Sequence, residues 1–374
     1  MANLLDYLSW RGDLEFTKIP LNPVDNIIFS QLSYLPMDGI VPGPGDKNGI
    51  SVSAAMKTLQ DKLNSDTSDL NSRVMYKDDY ALMSALGSSK RFRDCHLLGY
   101  VNHIDDEREK QFSAVSIYTG DGSFFVIFRG TDFNLVGWKE DANMSFREVI
   151  PAQMEAADYL EKMASMTKGP LRVGGHSKGG NLAVYAASNC RKKVQKRITE
   201  IYSNDAPGFH EKIINSEGFT EIKNRIRSFV PQGSVIGMIF EQGCDYSVIK
   251  SSKAGLLQHN LYSWEVTHNN MLYLDRVTQS SQFIDKTIKE WIGNLDNERR
   301  EKFFDTLYSI ITSSGAKSIP ELESNWLKAT GRMIKSVGKI DKSTRHMVRG
   351  TLSDLFTAAK NNLGTILQPK DEQL

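Results

Sequence analysis

At 374 residues, with 40% hydrophobic and 24% charged content, the chain has ordinary globular proportions and room for one large core plus an extension. A formal net charge of +1 implies no polyanion partner, so nucleic-acid binding is not expected. Cys95, Cys190 and Cys244 are an odd number without C-x-x-C spacing, and the first residues carry neither a basic nor an apolar leader, which predicts a cytoplasmic protein with reduced thiols.

In chain order, residues 1–75 read as an N-terminal lead-in packed on the core, with a short helix at 26–35 and a Pro/Gly loop at 41–46. Apolar runs at 97–101, 112–118 and 124–128 predict strands, the last two joined by a tight turn at Thr119-Gly120-Asp121-Gly122. Helical spacing through Met154, Ala157, Tyr159 and Leu160 predicts a helix over 152–163. A strand at 171–173, a helix from Asn181, and strands at 200–203 and 226–230 then alternate, which predicts an α/β fold with a mainly parallel central sheet flanked by helices.

From 281 to 374 the pattern is helical. Phe283, Ile284, Ile288, Trp291 and Ile292 share one face, as do Phe303, Leu307, Ile310 and Ile311. Ser318-Ile319-Pro320-Glu321 reads as a capping box, and 345–359 continues as a helix. Acidic residues interrupt the polar faces, so this extension is expected to pack on the core at 76–280 rather than on lipid. No apolar stretch approaches the ~18 residues of a membrane span.

Gly175-His176-Ser177-Lys178-Gly179 fits G-x-S-x-G, the nucleophile elbow of α/β-hydrolases. A strand precedes it and a helix follows, the setting in which a serine is lifted above a sheet edge. Side chains at Gly175 and Gly179 would collide in so tight a turn. An ordinary glycine-rich, phosphate-binding turn is the alternative. Ser177 needs a base and an orienting acid, and in this fold the order is Ser, Asp or Glu, then His. Of His210, His259 and His268, His259 is the candidate base: it sits in a late loop, whereas His210 follows the acid candidate too closely and His268 lies among polar residues. His176 reads as structural. Asp205, at a strand exit ahead of Ala-Pro-Gly, is the candidate acid, with Asp245 and Glu241 as rivals and an Asx-turn as its plain role. Oxyanion donors are expected at the Lys178 N–H and at Thr131, which ends the strand 126–128 in Arg129-Gly130-Thr131. Arg129 reads as an ion-pair partner.

Phe128-Arg129-Gly130-Thr131 followed by Trp138, with Gly175–Gly180, resembles the two signatures of class 3 (fungal-type) lipases. The wording is similar to the bacterial Mbeg1-like branch, as are Asp6–Asp13, Ser203–Phe209 and Gln258-His259 ahead of Ser263-Trp264. The resemblance covers most of 1–280 and implies Ser177 as nucleophile, His259 as base and Thr131 at the oxyanion hole. Two departures stand out. Class 3 lipases carry their acid after the strand corresponding to 226–230, where this chain has Pro231-Gln232-Gly233-Ser234 without a carboxylate. The usual leucine after the serine is Lys178, read as tuning the pocket mouth.

The expected protein is a serine hydrolase acting on a lipid-like or other acyl ester. It carries no metal or cofactor motif: there is no H-E-x-x-H, Walker A or G-x-G-x-x-G. A catalytically silent binding module, or an acyltransferase or thioesterase using the same residues, are the alternatives.

Overall fold

The computed structural model describes residues 1–65, 70–318, 321 and 326–366. Its sheet begins antiparallel. β1 (Ile50–Ser51) pairs with β2 (His96–Asp105), β2 with β3 (Lys110–Tyr118), and β3 with β4 (Phe124–Phe128). The turn between β3 and β4 works because Gly120 and Gly122 both take φ of +82°, while Asp121 Oδ1 accepts the Ser123 N–H at 2.9 Å. From β4 the strands are parallel: β5 (Leu171–His176), β6 (Ile198–Asn204), β7 (Ile226–Pro231) and β8 (Tyr246–Ile249). A short β9 (Tyr273–Leu274) returns antiparallel. Among the described residues the order across the nine strands is sequential.

The sheet is therefore mixed, parallel at its centre as expected and antiparallel at both margins. Connection length accounts for its middle strands. The short turns after β2 and β3, residues 106–109 and 119–123, permit only antiparallel hairpins, whereas the longer connections from β4 to β8 return the chain parallel. β4 is buried at all five positions, as suits a strand covered on both faces.

On one face lie α1 (Leu4–Arg11), α2 (Pro23–Leu32), α3 (Val52–Ser65) and α4 (Asp78–Ser88). The first two open with capping boxes, Asn3 with Asp6 and Asn22 with Asp25, and Pro23 lets α2 start ahead of residue 26. They share one apolar cluster with Phe125, Tyr202 and Trp264, pinned by a fully buried Arg91–Asp25 pair at 2.6 Å. On the other face α6 (Pro151–Ala164) and α7 (Lys178–Asn189) cover Phe112, Phe128, Val173 and Ile201. α5 (Leu135–Asn143) precedes them, and three short helices, α8 (Lys192–Gln195), α9 (Glu211–Ile214) and α10 (Glu217–Ile222), lie along the later connections. A parallel centre layered by helices on both faces is the α/β-hydrolase arrangement.

Among the described residues the tail comprises α11 (Gln279–Gly293), α12 (Asn297–Thr312), α13 (Trp326–Lys339) and α14 (Lys342–Ile366). Phe303 is buried against Trp291, ring centroids 5.8 Å apart. α12 meets the body through Lys139 Nζ and Asp305 at 2.6 Å, and through Arg300 and the Ser145 carbonyl at 2.7 Å. The helix start expected at 318–321 includes Ile319 and Pro320, which lie outside the described residues, although Ser318 Oγ accepts the Glu321 N–H at 3.4 Å. Among the described residues, no helix is long and apolar enough to cross a membrane.

Candidate active site

Because β4 to β8 run the same way, their carboxyl ends line one edge of the sheet, where open α/β sheets hold their sites. β4 leads there to Thr131, β5 to Ser177, β6 to Asp205, β7 to Ser234, and β8 to the loop bearing His259. Ser177 stands alone between β5 and α7 with φ +57° and ψ −135°, a conformation that costs a non-glycine residue strain. The glycines around it answer to β4 as well as to each other. A methyl on Gly175 would lie 2.4 Å from both the Phe128 oxygen and the Gly179 carbonyl carbon, and one on Gly179 would lie 2.1 Å from that same oxygen.

The elbow is held from below. Ser177 N–H donates to the Asn204 carbonyl at 2.9 Å. The Asn204 amide, fully buried, exchanges bonds of 2.8 and 3.2 Å with Asn26 and donates to Ser30 and the Gly175 carbonyl. Asn26 and Ser30 belong to α2, so the N-terminal zone braces the turn from a distance of more than 140 residues. Nothing in the local sequence signals that.

His259 Nδ1 lies 2.7 Å from Asp205 Oδ2. Asp205 is 1% exposed and takes φ +45° directly after β6. Its other oxygen accepts from the Ser234 hydroxyl and from the Gly237 N–H at 3.1 Å. The β7 exit, where the lipase pattern has its carboxylate, instead supplies donors to a carboxylate on the neighbouring strand. Glu241 pairs with Lys289 at 3.0 Å, and neither it nor Asp245 bonds His259. His210 is turned to the Met144 carbonyl at 2.8 Å, and His268 is exposed.

The His259 loop is tied down on each side of the ring. Gln258 Oε1 accepts the Gly233 N–H at 2.9 Å, and its carbonyl accepts from the buried Trp264 indole at 2.9 Å. His176 Nε2 is 2.8 Å from the His259 carbonyl, and its Nδ1 is 2.9 Å from the Tyr34 hydroxyl. A carbonyl only accepts, so Nε2 must carry the proton and Nδ1 must accept from Tyr34. Burial, with the His259 ring adding to it, holds the His176 pKa well below the ordinary histidine value, so the ring stays neutral. The residue read as merely structural thus grips the loop of the candidate base.

Thr131 and Lys178 flank Ser177. A methyl on Gly130 would fall 3.0 Å from Ser177 Cβ, which places the 130–131 peptide against the serine. Neither the Thr131 nor the Lys178 N–H has an acceptor among the described residues. The Thr131 hydroxyl, however, donates to Asp141 at 2.7 Å, so it is the backbone that is uncommitted. The Lys178 side chain corrects the reading given above: it is 1% exposed and does not reach the pocket mouth. It runs inward to Glu140 at 2.8 Å and Asp141 at 3.6 Å. Burial alone would depress this ammonium, but the two carboxylates outweigh it and raise its pKa, keeping it charged. Glu140 also accepts the Gln111 and Ala152 N–H groups at 3.0 Å each. The lysine that replaces leucine therefore belongs to a buried ionic clamp joining α7, α5 and β3. Arg129 forms its ion pair with Asp132 at 2.9 Å.

Ser177 Oγ and His259 Nε2 make no hydrogen bond to each other or to any other described residue. Among the described residues, no group of three or more His, Cys, Asp or Glu side chains is placed to hold a metal ion.

The profile of the Mbeg1-like family matches residues 86–309, more than half of the chain. The chain belongs to the Mbeg1-like family. Sequence comparison with curated proteins returns no match. Similar solved structures include a fungal lipase in complex with an inhibitor, 13% identical with a TM-score of 0.34 over 46% of this chain and 70% of that one. M37 lipase is 14% identical with a TM-score of 0.36, covering 57% and 68%. A Rhizomucor miehei lipase propeptide complex is 11% identical with a TM-score of 0.35, covering 51% and 70%. In this Mbeg1-like chain the matched span holds Thr131, Ser177, Asp205, Ser234 and His259, whereas Tyr34 and the bracing residues of α2 precede it.

Proposed function

We propose that this protein is a serine hydrolase that cleaves an acyl ester, lipid-like or otherwise, through an acyl-enzyme on Ser177. The observation that carries the reading is the 2.7 Å contact between His259 Nδ1 and Asp205 at the sheet edge that also bears the strained Ser177. With Nδ1–H donating to the carboxylate, Nε2 is left as the base. Nε2 takes the Ser177 proton as Oγ bonds the ester carbonyl carbon, and the oxyanion is met by the Thr131 and Lys178 N–H groups. The bond to the alcohol oxygen then breaks as His259 returns the proton to it. Water repeats the sequence with Ser177 as the leaving group and releases the acid. An alcohol in place of water would make the same residues an acyltransferase, and a thioester substrate a thioesterase.

One observation favours a catalytically silent module instead: Ser177 Oγ and His259 Nε2 are not hydrogen-bonded. Such bonds commonly tighten only around a bound acyl group. Turnover of p-nitrophenyl butyrate separates the two readings. The hydrolase reading expects wild-type activity and a loss of about a thousandfold or more in Ser177→Ala. Activity within a few-fold of wild type in that variant rules Ser177 out as nucleophile.

A further inference from the structure

A cleft of ≈ 560 Å³ opens beside the candidate oxyanion site, and its polar groups are unevenly committed. Ser177 does not line it, but Tyr34, which does, stands close to the serine: a methyl on Gly130 would fall 2.3 Å from the Tyr34 hydroxyl and 3.0 Å from Ser177 Cβ. Its far wall is tail: the Lys317 carbonyl accepts the Leu135 N–H at 3.0 Å, so residues 317 and 318 lie along the loop that follows β4.

The acids of the cleft are satisfied by the protein. Asp132 accepts the Asn134 N–H at 2.8 Å on one oxygen and Arg129 at 2.9 Å on the other. Asp38 accepts from Asn102 at 3.4 Å on one oxygen, and from Tyr100 at 3.2 Å and Arg73 on the other. Glu321 accepts the Lys317 N–H at 2.9 Å. Of its cations, Arg73 is paired with Asp38, whereas Arg129 and Lys317 are less occupied. Arg129 is 4% exposed, and both of its hydrogen bonds, to Asn102 and Asp132, leave from Nη2. Its Nε is buried without an acceptor, and its Nη1 has none among the described residues. Lys317 Nζ, on an exposed side chain, likewise has no acceptor among the described residues. Buried donors left unpaired are costly, and a guanidinium is built to meet an oxyacid. A guest cation would have to displace existing partners, whereas a guest anion finds donors waiting.

We infer that this cleft is an anion subsite, and that the ester cleaved at Ser177 carries a carboxylate or phosphate held by Arg129 and Lys317. The inference rests on the hydrolase reading for the position of the scissile bond. Arg129 is two residues before Thr131, so the anionic group stands roughly 7 Å along the wall from the oxyanion donors.

The test reads binding without turnover. Ser177→Ala protein is titrated calorimetrically with methyl phosphate and with monomethyl succinate, and the titrations are repeated with Lys317→Glu and with Arg129→Gln added. The expected result is one saturable site for at least one probe, the stronger of the two naming the group as phosphate or carboxylate. Lys317→Glu should weaken it about fivefold, the scale of an exposed ion pair, and Arg129→Gln about tenfold or more. If Arg129→Gln fails to fold for want of its Asp132 pair, the exposed Lys317 variant decides alone. No saturable binding of either probe, or affinities unchanged by the substitutions, overturns the inference. Absence of p-nitrophenyl butyrate turnover in the wild-type protein would overturn the hydrolase reading instead, and leaves the anion titrations standing.

Discussion

His176 Nε2 donates to the carbonyl oxygen of His259 across 2.8 Å, so one histidine fixes the backbone of the other. The rings lie 4.3 Å apart at 37°, and Tyr34 completes the line by donating to His176 Nδ1. A single proton arrangement satisfies all three groups, and it leaves His176 neutral beside the candidate base. His176 acts as a positioning residue.

That role predicts a kinetic signature. His176→Ala should lower kcat between about 10- and 100-fold with KM near wild type, since a small misplacement of a catalytic group is costly. His176→Gln keeps an N–H donor for the His259 carbonyl and should restore most of the rate. Equal kcat in both variants, with losses confined to melting temperature, would show that His176 only fills space.

The same ring predicts a pH dependence of stability. Its folded pKa lies well below the ordinary value near 6.5 because of burial and the neighbouring His259. Above about pH 6.5 neither folded nor unfolded chain protonates it. As pH falls below that, the unfolded state binds a proton the folded state refuses, and stability drops by at most about 1.4 kcal/mol per pH unit until the folded pKa is reached. Wild type should lose more stability than His176→Gln between pH 7 and pH 5 in urea unfolding. Parallel losses would place the titration elsewhere.

The acid is tested by three substitutions. Asp205→Asn should reduce kcat by about four orders of magnitude through the wrong His259 tautomer, while Asp245→Asn and Glu241→Gln stay within a few-fold. A large effect at Asp245 in ester hydrolysis would contradict the 2.7 Å contact as the working pair.

Much of this fold is legible along the chain. The β3–β4 hairpin turn is written in Thr119-Gly120-Asp121-Gly122, and the strand, turn and helix around Ser177 in its glycines. β2 extends to Asp105, past its apolar run, because its outer half is a more exposed strand where polar residues are tolerated. The supports of the site are not legible. Ser234 reaches Asp205 across 29 positions, Glu140 reaches Lys178 across 38 and Tyr34 reaches His176 across 142. Their residue types are common, and only the folded sheet edge brings them together.

The Lys178–Glu140 pair predicts a non-additive stability pattern. Lys178→Met leaves the fully buried Glu140 carboxylate unpaired and should cost about 3–5 kcal/mol in urea unfolding. Adding Glu140→Gln removes the stranded charge and should recover part of that loss, only part because the Gln111 and Ala152 N–H groups sit on different carboxylate oxygens and the single amide oxygen keeps one of them. A double variant as unstable as the sum of the singles would mean the pair is not coupled.

Labelling with a fluorophosphonate tests the central claim most directly, because it asks only whether Ser177 is an activated nucleophile and needs no knowledge of the substrate. The account predicts one adduct per chain, located by peptide mass spectrometry on Ser177, absent from Ser177→Ala and slowed strongly in His259→Ala and Asp205→Asn. An unlabelled folded protein, or an adduct on another residue that persists in Ser177→Ala, would contradict it.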